Sequence, residues 1–120
     1  MKMKTRINLL KAKIGVVELK TPRGGKCRIF DIDNQYIYYI QGKTSVYTYD
    51  LDVFLKTYYC FQGIGCSIKD LKEYNSTVYT TNNKGGHDCN CMVFMLLIQY
   101  FFGGNIQGTG IKGNPYRIFY

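Results

Sequence analysis

The chain has 120 residues, 46% of them apolar and 20% charged, which excludes a disordered chain and suits one domain spanning 1–120. Two prolines exclude a polyproline or collagen-like chain, and twelve tyrosines with seven phenylalanines point to strand content. The formal net charge is +8, and residues 1–28 hold all of it, with nine cations against the single acid Glu18; seven cations and seven acids balance in 29–120.

Residues 1–13 read as a basic, frayed N-terminal segment. Met1 to Arg6 resembles the charged start of a secretory signal, but Lys11 and Lys13 interrupt any apolar run after it, so no such signal is expected. Met3, Ile7, Leu9, Leu10 and Ile14 make too poor an apolar face for a membrane-surface helix. Strand patterning starts at residues 14–20. A turn follows at 21–25, where Pro22 presets φ and two glycines allow the left-handed region. Lys26–Ile32 alternates, with Cys27 and Ile29 on one face and Arg28, Phe30 and Ile32 on the other. Asp33-Asn34 suits a two-residue hairpin turn in the left-handed region. Residues 35–41 and 45–49 complete four short strands, separated by a turn at Gly42-Lys43. The expected fold class is α+β: a small antiparallel β-meander, or partly open barrel of SH3-like or OB-like form, with a buried C-terminal helix.

The period then changes. Asp50 caps a helix over Leu51–Phe61, and residues 62–65 end it. Ser67 and Asp70 have capping-box spacing for a short helix reaching Tyr74. Residues 77–80 read as a strand and 81–86 as a loop. Asp88 or Asn90 caps a helix ending at Phe102, which Gly103-Gly104 stops. Residues 91–102 are apolar on every side, the mark of a helix buried all round. At about 18 Å this helix is too short to cross a hydrocarbon core of about 30 Å. It is expected to pack on the meander as the central helix of the core, or else in a homodimer interface. A glycine-rich, mobile loop then leads to a closing strand at 116–120.

Five cysteines without a secretion signal imply reduced thiols and a cytoplasmic setting, with no membrane partner. His87, Cys89 and Cys91 gather just before a helix. They are three candidate zinc ligands, with Cys60 or Cys66 as a fourth, although His-x-Cys-x-Cys is not the spacing of zinc ribbons or knuckles. Cys89 or Cys91 at the helix start is also a candidate nucleophile, with His87 as its base. The plainest reading, and the favoured one, is structural: two thiols starting a buried helix. Glu18-Leu19-Lys20 is half of a metal-dependent nuclease site, but no acid precedes it. Gly108-x-Gly110-x-x-Gly113 matches a dinucleotide-binding pattern, but it follows a helix instead of opening one. No metal or cofactor is therefore expected.

The remaining signal joins charge to aromatic rings. Tyr36 and Tyr38 share a face, as do Tyr47 and Tyr49; paired strands would make them one platform beside Lys11, Lys13, Lys20, Arg23, Lys26 and Arg28. Such a surface binds nucleic acid, with rings stacking on bases and cations meeting phosphates. The expected function is thus a non-enzymatic nucleic-acid-binding protein. The alternatives are an inhibitor or adaptor for an acidic protein surface, for example one blocking a host defence effector, and a Cys/His-dependent enzyme or zinc-site protein. Richness in Lys, Asn, Ile and Tyr fits a phage or mobile-element origin.

Overall fold

The computed structural model describes Asn8, Lys11, Ala12, residues 17–42 and residues 45–120. The fold divides into two compact units, the first ending at Leu55 and the second beginning at Lys56.

The first unit contains β1 (Val17–Lys20), β2 (Lys26–Ile32), β3 (Tyr36–Gln41) and β4 (Ser45–Asp50). They form one antiparallel sheet in the order β1-β2-β3-β4. The sheet is open, with β1 and β4 at its two edges and no barrel closure among the described residues. Alternation gives one face to the core, where Leu19, Cys27, Ile29, Ile37, Tyr39 and Tyr49 are buried. Ile32 is buried with them, against the simple alternation that put it beside Arg28. A β-bulge between Ile29 and Asp31 is the cause: the extra residue, Phe30, returns Ile32 to the core side.

The turn after β2 also differs from expectation. Asp33 pairs with Tyr36, its N–H donating to the Tyr36 carbonyl at 3.0 Å, so Asn34-Gln35 is the tip. Asp33 Oδ1 accepts from the N–H groups of Gln35 at 2.8 Å and Tyr36 at 2.7 Å. This Asx-type cap replaces the left-handed turn, and no described non-glycine residue has positive φ. Asp50 then starts α1 (Leu51–Phe61) as its sequence position implies, accepting from the Val53 N–H at 3.0 Å.

The second unit holds β5 (Cys66–Ser67), α2 (Ile68–Tyr74), α3 (Ser76–Tyr79), α4 (Cys89–Phe101), β6 (Asn105–Gln107) and β7 (Arg117–Phe119). Its three strands form a small antiparallel sheet in the order β5-β7-β6. The capping box at α2 is complete, with Asp70 standing in for the usual Glu. Residues 77–80 are not a strand. Asn75 caps a single helical turn there by accepting from the Val78 N–H at 3.1 Å.

Helix α4 is buried at Asn90, Cys91 and from Val93 to Ile98. Within its own unit it packs against α2, α3, β6 and β7. The glycine-rich stretch is a hydrogen-bonded hairpin between β6 and β7. Two of its glycines are required sterically: a methyl group on Gly108 would lie 2.1 Å from the Pro115 carbonyl oxygen, and one on Gly110 2.4 Å from the Tyr116 ring. Among the described residues no helix is long and apolar enough to cross a membrane.

Candidate nucleic-acid interface

Directly opposed residues of an antiparallel pair share a face, so the register assigns the side chains of the paired residues. Glu18 lies opposite Arg28, and Lys20 opposite Lys26. Arg28 lies opposite Ile40, and Asp31 opposite Tyr38. Tyr38 lies opposite Thr48, and Ile40 opposite Val46. All of these point away from the core face, and Lys20, Lys26 and Arg28 are exposed.

One end of this outer face is basic. Glu18, Lys26, Arg28, Ile40 and Gly42 line an open cleft of about 230 Å³. Within it Lys26 Nζ is 3.7 Å from Glu18 Oε1. Arg23 stands exposed in the adjoining β1–β2 turn.

The other end is aromatic. The Tyr38 ring lies 6.3 Å from Phe30 and 6.1 Å from Tyr36, centroid to centroid. The bulge carries Phe30 into this group. Sequence alternation had put Phe30 beside Arg28, but it did not mark the ring as part of a site. The Tyr38 hydroxyl donates to Asp33 Oδ2 at 2.5 Å. That bond, with those from the Tyr36 and Gln35 N–H groups, holds the Asp33 carboxyl below its ordinary range; the Lys11 charge adds to the effect. The same bond pushes the Tyr38 hydroxyl up to about 12.

Tyr47 and Tyr49 do not join this platform. Tyr49 is opposite Ile37 and fully buried, with its ring edge-on to Phe54 at 6.0 Å. Tyr47 is opposite Tyr39, their rings 5.6 Å apart. The register pairs odd-numbered residues of β3 with odd-numbered residues of β4, so the two tyrosine pairs fall on opposite faces. Lys11 is exposed, and Lys13 lies outside the described residues.

The His/Cys cluster is engaged in building the start of α4. His87 Nδ1 accepts from the Cys89 N–H at 3.0 Å, the capping role expected of Asp88 or Asn90. Asp88 instead accepts from the Thr81 N–H at 3.0 Å and lies 3.5 Å from Lys72 Nζ. The Asn90 amide donates to the Val78 carbonyl at 3.0 Å, and the Cys91 thiol to the Tyr79 carbonyl at 3.4 Å. Burial raises the Cys89 thiol, helped by Asp88, and pushes Cys91 up to about 12. An activated thiolate needs the opposite shift. Cys66 is likewise pushed up to about 12 by burial, and Cys60 is exposed. Among the described residues no three His, Cys, Asp or Glu side chains are grouped to hold a metal ion. Compared with known families, curated proteins and solved structures, the chain matches none.

Proposed function

We propose that the outer face of the four-stranded sheet binds single-stranded nucleic acid. The observation that carries this reading is the register, which gathers Lys20, Lys26 and Arg28 with Tyr36 and Tyr38 on one solvent-facing surface, the Phe30 ring lying 6.3 Å from Tyr38. Rings on a sheet face stack unpaired bases at about 1–3 kcal/mol per base, whatever the sequence, while the neighbouring cations take the phosphates. In this reading the meander works in the manner of an OB-like or SH3-like module, a binding protein rather than an enzyme. The reading includes a cytoplasmic setting, in which all five cysteines stay as thiols.

The test is fluorescence anisotropy with labelled single-stranded RNA and DNA at low ionic strength. Wild type should bind at least one of them, and the double variant Tyr36→Ala/Tyr38→Ala should bind about tenfold or more weakly, the loss of one to two stacked bases. No binding of either strand by wild type overturns the proposal and favours an acidic protein surface as the partner.

A further inference from the structure

We propose that the cleft at the basic end of the sheet takes a ribose with its phosphate, so that the bound strand is RNA, and that Glu18 accepts the hydrogen bond of the 2′-hydroxyl. The inference rests on the nucleic-acid reading above and deepens it.

The cleft measures about 230 Å³. That is below the roughly 300–1,000 Å³ of pockets that enclose small molecules, so it suits a piece of backbone better than a whole nucleotide. Among the described residues its walls carry two cations, Lys26 and Arg28, and one carboxylate, Glu18, with Ile40 as the apolar contact. The cations answer a phosphate. The carboxylate does not: ionised, it only accepts hydrogen bonds, and it repels phosphate. A DNA backbone offers it nothing, because sugar and phosphate there carry only acceptors between the chain ends. RNA adds one donor per nucleotide, the 2′-hydroxyl, and that group distinguishes the two polymers.

Glu18 is not spent on its present partner. Its contact with Lys26 is 3.7 Å long, between side chains 51% and 67% exposed. Ion pairs of that kind contribute little, so turning the carboxylate toward a ligand costs little. Its position is fixed by the ladder, directly opposite Arg28 and on the same face. The spacing onward also fits. Tyr38 and Tyr36 follow Ile40 along β3 at two-residue steps, each step about 7 Å. A strand seated in the cleft can therefore lay successive bases on Tyr38 and Tyr36.

The experiment uses three labelled oligonucleotides of one sequence: oligouridine, oligodeoxyuridine and 2′-O-methyl oligouridine. The expected result is about a tenfold preference of wild type for the RNA, the scale of one hydrogen bond to a charged group, with the 2′-O-methyl strand bound like the DNA. Glu18→Ala should abolish the preference, weakening RNA binding while leaving DNA binding equal or tighter. Glu18 is an exposed strand residue, and circular dichroism checks that the variant is folded. Equal binding of RNA and DNA by wild type, or a Glu18→Ala change that scales all three probes alike, overturns the inference while the nucleic-acid reading stands. Failure of wild type to bind any of the three overturns that reading itself.

Discussion

Tyr38 is held at the surface by its own hydroxyl, which fixes a ring that otherwise has solvent on one side. Its partner Asp33 is in turn held by two backbone N–H groups of the β2–β3 turn. The linkage has a defined pH window. Tyr38 is raised from its ordinary 10.0 to about 12, so its contribution to stability is complete below pH 10 and is lost as pH rises through about 12. Asp33 is lowered from its ordinary 3.8, so its contribution is present above that value and is lost as pH falls through the lowered one. Between these limits the bond stays closed. Replacing Asp33→Asn removes the charged acceptor, and the Tyr38 ring should then ionise nearer 10. An NMR titration of the Tyr38 ring resonances reads this directly. A variant still ionising near 12 would show that something other than Asp33 raises the hydroxyl. A side-chain acceptor also serves the backbone at His87, whose Nδ1 accepts from the Cys89 N–H at the start of α4.

Strand pairing places Lys20 directly across from Lys26. Like charges in opposed positions destabilise a sheet by about 0.2–1 kcal/mol, and the long Glu18 contact offsets little of it. Lys20→Gln should therefore stabilise the protein by about 0.5 kcal/mol in urea unfolding at low salt, an advantage that fades as salt screens the pair. The same change should weaken polynucleotide binding. A Lys20→Gln protein less stable than wild type at low salt would show that the opposition carries no strain. Elements with strong local chemistry were legible in the sequence. Alternation marked β2 and β4, and Asp50 and Ser67 marked the starts of α1 and α2. What depended on pairing was not. A single bulge moved Ile32 to the core, and the β3–β4 register sent Tyr47 and Tyr49 to the face opposite Tyr36 and Tyr38. A one-residue offset flips every side chain of a strand, and composition does not fix that offset. The β-branched residues at 77–80 were outweighed by one side-chain cap from Asn75. Strand β6, three residues long between glycines, is too short to show a period.

Over the whole molecule the positive charge is shared unevenly. Residues 1–55 carry ten cations and five acids, and residues 56–120 carry six and three. The excess creates a general attraction for polyanions, and that attraction alone does not separate a binding face from a solubility device. Salt dependence does. For single strands the logarithm of the binding constant falls with the logarithm of salt concentration with a slope of about −0.7 per phosphate neutralised. If Lys26 and Arg28 each neutralise one phosphate, the double variant Lys26→Gln/Arg28→Gln should show a slope shallower by about 1.4. Tyr38→Ala should lower the binding constant at every salt concentration and leave the slope unchanged, because stacking releases no counterion. The two variants thus separate the ends of the outer face by mechanism, one changing slope and the other intercept. An unchanged slope in the Lys26/Arg28 variant would mean that the phosphates are met elsewhere on this positive chain. The sheet face would then lose its phosphate-binding role.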